Sequence, residues 1–282
     1  MKQLLYILTF LFVGNQLYAQ FGMLPHPRDV SNTTAIDSGS IRIIYAMNAV
    51  DINDTKTYDD IQRLEIGSKL SKYYSYYLYR NDSLVEEWGK KNKGAAVVPT
   101  RLGEFGKTGN VWSLVIWSDY FKDFSKNVLT EYAIMPRGRI PPLQYTEEIP
   151  VQEWELQEDT LTVCGYLCQK ATCRFRGNNF VAWFTPDIPV SNGPWKFGGL
   201  PGLILKVFDN EMYYVFECIQ IESHEKKYPI IMLNEKRYQK TERTKLRKLE
   251  KDLHEDFNKV TGWTRDDGRK SEPIPYHPLE LE

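Results

Sequence analysis

Residues 180–208 read Phe180-Val-Ala-Trp-Phe-Thr-Pro-Asp-Ile-Pro-Val-Ser-Asn-Gly-Pro-Trp-Lys-Phe-Gly-Gly-Leu-Pro-Gly-Leu-Ile-Leu-Lys-Val-Phe208. Two apolar, strand-like runs bracket a loop that carries Pro186, Pro189, Pro194, Pro201, Gly193, Gly198, Gly199 and Gly202. Proline fixes φ and glycine opens φ > 0, so their alternation specifies one bent path with little freedom to lose on folding. Leu200-Pro201-Gly202-Leu203 fits a type II turn, with Pro second and Gly third. Trp195 and Phe197 alternate about Lys196, which turns both rings inward and sends the ammonium to water. A loop held this firmly is a structural plug or a binding lip. Asp187, Trp195, Lys196, Phe197 and Leu200 are its candidate ligand or partner contacts, framed by Pro186, Pro194, Gly198, Gly199, Pro201 and Gly202.

Strand patterns extend outward from this loop. Leu167 to Phe175, Phe180 to Phe184, Leu203 to Phe208 and Met212 to Ile221 follow one another, with turn residues at Gly177-Asn178-Asn179 and Asp209-Asn210. Sequential strands on short turns pair antiparallel. In Met212 to Ile221, the residues Tyr213, Val215, Ile219 and Ile221 share a face that Glu217 interrupts, and Cys218 lies on the other. Upstream, Ile41 to Ala46, Tyr73 to Tyr79 and Val111 to Trp117 also read as strands. Asn234 to Lys259 reads as a charged helix with one apolar stripe (Leu246, Leu249, Leu253, Phe257), capped by Asn234 and ended by Gly262. The expected fold is mainly β, a curved antiparallel sheet or half-barrel with one amphipathic C-terminal helix. Residues 41–262 form a single β-rich domain including the helix near 234–259, after a loose lead-in at 20–40 and before an extended tail at 263–282.

Residues 1–19 have the form of a signal peptide: Lys2, an apolar run from Leu4 to Val13, and Leu17-Tyr18-Ala19 before the cut. That run is shorter than the roughly 20 residues of a membrane span, and the mature chain shows no transmembrane segment. The 282 residues hold 36 Lys+Arg against 37 Asp+Glu, for a net charge of −1, so no charge excess points to nucleic acid. Cys164, Cys168, Cys173 and Cys218 are disulfide candidates in an exported chain, and four cysteines allow three connectivities. Cys173 and Cys218 sit in separate expected strands, and Cys164 and Cys168 could close a tight turn. Cys-x3-Cys-x4-Cys lacks the Cys-x2-Cys knuckle of zinc sites, so no metal is assigned.

No catalytic constellation emerges, and no cofactor is implied. Gly106-Lys107-Thr108 is not a phosphate loop, because Arg101 stands where the earlier Gly belongs and a strand pattern follows. Neither Gly-x-Ser-x-Gly nor His-Glu-x-x-His occurs. His26, His224, His254 and His277 are scattered and read as surface residues. Glu147 and Glu148 are adjacent, so an extended backbone sends them to opposite faces. Asp187 stands at the mouth of the constrained loop, where its simplest role is to fix the Thr-Pro-Asp turn.

Gly199-Leu200-Pro201-Gly202-Leu203-Ile204 is the hexapeptide that names the GLPGLI family of exported bacterial envelope proteins, which this chain resembles. Gly193 to Gly198, Trp183 to Pro189, Ile66 to Lys69, Asn81-Asp82-Ser83, Cys164 to Ala171 and His277 to Leu281 carry the same likeness. The resemblance implies localisation more than mechanism: a Gram-negative periplasmic or outer-membrane-associated protein, with no catalytic residues to transfer. A looser similarity, at the level of fold, is to lipoprotein-carrier half-barrels that shelter acyl chains under a helix. The expected function is then a non-catalytic binding or carrier module for a hydrophobic ligand or an outer-membrane partner complex. The alternatives are a structural subunit of an outer-membrane transport complex, or an exported hydrolase using Asp187 and Glu217.

Overall fold

The computed structural model describes residues 28, 30–107, 113–136, 139–262, 268 and 272–281. The leader 1–19, Pro25, Pro27, Val111 and Trp112 lie outside them. In chain order the elements are β1 (Thr33–Met47), β2 (Asp60–Gly67), β3 (Leu70–Ser75), α1 (Tyr76–Lys91), α2 (Leu114–Trp117), β4 (Ser118–Asp123), β5 (Val128–Ala133) and β6 (Leu143–Glu148). There follow β7 (Glu155–Val163), β8 (Tyr166–Phe175), β9 (Asn178–Thr185), β10 (Leu203–Asp209), β11 (Val215–Leu233), β12 (Gln239–Lys240), α3 (Arg243–Glu255) and α4 (Phe257–Thr261).

The strands make one open sheet of twelve in the order β12-β6-β5-β4-β3-β2-β1-β11-β10-β9-β8-β7. Every pairing is antiparallel except β12 with β6. The fold is thus mainly β with a C-terminal helix, as the strand pattern implied. β7 turns into β8 through Cys164 and Gly165 (φ 49° and 83°), and β8 into β9 through Arg176 and Gly177 (φ 46° and 84°). Two successive positive-φ residues are the type I′ hairpin, whose twist matches that of its strands.

The long pair β1–β11 is the spine. It runs from Thr33↔Leu233 to Met47↔Phe216 and is broken by three register shifts, between Ala35 and Asp37, Gly39 and Ile41, and Ile44 and Tyr45. Bulges bend a strand and steepen its twist, so the wings on either side of this spine fold toward each other. Tyr73 of β3 meets Phe216 of β11 edge-on at 6.4 Å, with Tyr120 of β4 at 6.3 Å from Tyr73. Ile43, Tyr45, Leu64, Tyr73 and Tyr120 from one wing pack with Phe180, Phe184, Leu203 and Phe216 from the other. A shift in β10 between Ile204 and Lys206 frees the Ile204 carbonyl for the buried Tyr45 hydroxyl at 2.7 Å.

The helices form a second layer, with Leu78, Leu114, Trp117, Leu246, Leu253 and Phe257 packed on Ala133 and Tyr145. Four local expectations are corrected. The Tyr-rich strand expected over 73–79 ends at Ser75, whose Oγ accepts the Leu78 N–H at 3.1 Å and caps α1. Helical spacing then buries Tyr77, Leu78, Asn81 and Asp82 together. Leu114–Trp117 is one helical turn, not a strand. Residues 33–40, read as lead-in, are the first half of β1. The helix expected over 234–259 is a 3₁₀ turn (Glu235–Arg237) capped by Asn234, then β12, α3 and α4, with Gly262 left-handed at φ 70°. In β11 the inward face carries Phe216 and Cys218, so the apolar face assigned to Tyr213 and Val215 is the outer one.

The loop joining β9 to β10 also differs. Gly202 is not left-handed, and its N–H bonds the Leu200 carbonyl at 2.8 Å across Pro201, a three-residue turn in place of a type II turn. Gly202 is required for space: a Cβ there would lie 2.1 Å from the Thr185 carbonyl oxygen. Gly202→Ala is expected to destabilise the protein by about 2 kcal/mol or more. Gly165→Ala, where only φ opposes a side chain, is expected to cost about 1 kcal/mol. Urea midpoints of the two variants check the order.

Candidate functional site

The loop of residues 186–202 folds into the interior. Trp195 and Phe197 are fully buried, Leu200 nearly so, and Trp195 takes a left-handed φ of 51°. The rings stack edge-on at 5.0 Å, and Phe197 meets Phe180 at 4.8 Å. These groups fill the space between the wings, so a ligand reaches them only if the loop moves. Asp187 alone of the five candidates is exposed, its N–H donating to Thr185 Oγ1 at 3.3 Å.

Lys196 overturns the alternation argument. Because Trp195 is left-handed, the segment is not extended, and Lys196 points inward with no exposed surface. Its ammonium lies against Glu280 Oε1 and donates to the Tyr145 hydroxyl, with Glu131 Oε2 at 3.5 Å and Glu147 Oε1 at 3.7 Å. Arg247 from α3 donates to both Glu131 oxygens at 2.8 Å, while Arg176 and Arg243 hold Glu280 Oε2 at 2.9 and 3.0 Å. Burial would raise the Glu280 carboxyl, but Lys196, Arg247 and Arg176 outweigh it and hold it well below the usual range. Burial opposes ionisation of Glu131 too, and Arg247 and Lys196 reverse it. Glu250, facing Arg247 at 3.4 Å, is pushed up by burial to about 7. Beneath the same loop, Lys122 donates to Asn192 Oδ1 at 3.0 Å and to the Phe197 carbonyl, and burial lowers it to about 7.

The cysteines are thiols: Cys164 is exposed, and Cys168, Cys173 and Cys218 are buried. The Cys173–Cys218 bridge does not form because β9 and β10 separate their strands. Nor does Cys164–Cys168 form; the Cys164 thiol is hydrogen-bonded instead to Cys218. Glu217, the other half of the postulated acid–base pair, is salt-bridged to Lys206 at 2.7 Å.

A cavity of about 220 Å³ at the outer end of the spine gathers groups that sequence reasoning left apart. Tyr213 and His277, both exposed, stack at 3.7 Å and 14°. Met47, Ile116, Tyr214, Ile274 and Pro275 give apolar walls, and Asn48, Asp59 and His254 the polar ones. Asn48, left-handed at φ 51°, braces the site. Its Nδ2 donates to Asp59 Oδ2 at 2.7 Å and to the Tyr213 carbonyl at 3.0 Å, and its Oδ1 accepts the Val215 N–H at 2.7 Å. Lys107 reaches the Asn48 carbonyl at 2.9 Å and Asp59 Oδ1 at 3.5 Å, which is the role of the Gly-Lys-Thr segment. His254 Nδ1 faces the Pro275 carbonyl at 3.0 Å, and burial holds the ring below its ordinary pKa. Donation from Nδ1 leaves Nε2 as an acceptor. Asn48 beside a strand end and the His-Pro tail were the only signals, and neither carries a spacing motif.

Residues 121–248 match the family model described as N-glycanase peptide, N-terminal domain. Among curated proteins none matches. Two solved structures of PNGF-II, in space groups P21 and C2, are 15% and 14% identical, with TM-scores of 0.46 and 0.45. Each comparison covers 74% of this chain and 32% of the other, so the chain spans about a third of their length. These findings correct the resemblance to the GLPGLI family: the matching span contains the Gly199–Ile204 hexapeptide itself, and it belongs to the N-glycanase domain model. No helix among the described residues is long and apolar enough to cross a membrane.

The ion cluster gives a pH test. Glu250 is raised from 4.5 to about 7 in the folded protein. Its favourable contribution is complete below pH 4.5 and is lost as pH rises through 7, because the unfolded chain then sheds a proton the folded chain retains. Glu250→Gln removes that loss. Its stability relative to the parent is expected to climb between pH 5 and pH 8 by up to about 3 kcal/mol, measured by urea unfolding at each pH.

Proposed function

We propose that the chain is an exported, non-catalytic recognition module that binds carbohydrate in the cavity beside Tyr213 and His277. The observation that carries the reading is that stacked, half-exposed aromatic pair, set next to a braced carboxylate and a neutral imidazole. A sugar ring has an apolar C–H face that lies on an aromatic surface and hydroxyls that seek charged and neutral acceptors. Asp59 and His254 Nε2 supply such acceptors, and the cavity suits a single ring more than an acyl chain.

Two further observations support it. The inner face of the sheet is filled by Tyr45, Tyr73, Tyr120, Phe180, Phe184, Trp195, Phe197 and Phe216, which leaves no room there for the hydrophobic cargo of a carrier. The matching family model is that of an N-glycanase domain, and an N-terminal domain of such a protein has glycans as its natural surroundings. Export is part of the proposal and rests on the leader pattern of residues 1–19.

Titration of the isotope-labelled protein with oligosaccharides released from N-glycoproteins, followed by NMR, tests the reading. Saturable shifts at Tyr213, His254 and His277 are expected, together with a loss of at least tenfold in affinity for Tyr213→Ala at unchanged melting temperature. Binding that survives Tyr213→Ala, or no shift with any oligosaccharide, contradicts it.

A further inference from the structure

We propose that Cys164 and Cys218 are a disulfide-forming pair that staples the β7–β8 hairpin to the spine strand β11. Cys164 is the first residue of the two-residue turn between β7 and β8, exposed at φ 49° beside Gly165. Cys218 lies in β11, on the inward face with Phe216 and opposite Tyr45 of β1. In the flat order of the sheet, β10 and β9 stand between β11 and β8. The bent sheet nevertheless returns the hairpin turn to the spine, and the two thiols hydrogen-bond to each other. The Tyr45 ring registers both sulfurs.

The other cysteines are placed differently. Cys168 is buried, with its Sγ directed to the Tyr166 carbonyl at 3.6 Å. Cys173 faces Phe180 across the β8–β9 pair. Burial raises both thiols, to about 11 and about 12, and so keeps them unreactive.

The pair is chemically asymmetric. The hydrogen bond from Cys218 lowers the Cys164 thiol to about 7, so much of it is thiolate at neutral pH. That same hydrogen bond, reinforced by burial, holds Cys218 protonated. The Cys164 thiolate attacks one sulfur of an external disulfide such as oxidised glutathione, forming a mixed disulfide and releasing one donor thiolate. Cys218 then passes its proton to solvent and attacks Cys164 Sγ, expelling the second donor thiolate. Two thiols of the protein lose two electrons and two protons, and the donor disulfide is reduced to two thiols.

The test uses the whole protein incubated with oxidised glutathione, alkylated, and cut with trypsin and chymotrypsin without reduction. Chymotrypsin cleaves at Tyr166 and Leu167, which separates Cys164 from Cys168. The expected map joins the Cys164 peptide to the Cys218 peptide and leaves Cys168 and Cys173 alkylated. The oxidised protein is expected to melt roughly 10 °C above the reduced one, and Cys164→Ser, at an exposed turn, is expected to abolish that difference. A Cys164–Cys168 link, or alkylation of all four cysteines after oxidation, overturns the proposal.

Discussion

The Lys196 ammonium is the constraint on which this architecture depends. It has no exposed surface, and a buried charge is tolerated only with partners close enough to offset lost hydration. Those partners come from three remote parts of the chain: Glu131 from β5, Tyr145 and Glu147 from β6, and Glu280 from the tail. Arg247 ties α3 to the same carboxylates, and Arg176 ties in the end of the β8–β9 hairpin. The loop, both wings, the covering helix and the C-terminus therefore share one electrostatic centre. Moving any one of them strands a charge in the interior.

That centre also explains where the recognition cavity sits. The tail is held at Leu279 and Glu280, with Asn178 Nδ2 donating to the Pro278 and Leu279 carbonyls at 3.0 and 3.1 Å and the Leu281 N–H bonding the Arg176 carbonyl. Anchoring the chain there delivers His277 to Tyr213, and the preceding Pro275 carbonyl to His254. The binding surface is thus assembled from chain segments that meet only when the ion cluster is intact. A rigid loop was expected to be the lip of a site, whereas it supplies the foundation and the site lies at the strand ends it stabilises.

Much of the sheet was legible because its signals are local. Apolar runs at 167–175, 180–184 and 203–208 and their intervening turns need only neighbours in sequence to be read, and the amphipathic stripe Leu246, Leu249, Leu253 and Phe257 lies in α3 and α4. Tyr73 to Tyr79 was ambiguous because aromatic and apolar residues there satisfy both periods. Ser75 broke the tie as a cap, a choice set by Asp60 and the tertiary fit of α1. Lys196 could not be read at all, since parity assumes an extended backbone and Glu280 lies 84 positions away. The cavity was illegible for the same reason: Asn48, Asp59, Tyr213, His254 and His277 share no spacing, only a place.

The most direct test of this account is a double-mutant cycle on Lys196→Met and Glu280→Gln, read by urea unfolding at pH 7. Each single variant is expected to lose about 3 kcal/mol by leaving a buried charge short of its partner. The double variant is expected to recover about 2 kcal/mol of the summed loss. If the two losses add to within about 0.5 kcal/mol, Lys196 and Glu280 act independently, and the tail is not latched through this ion cluster.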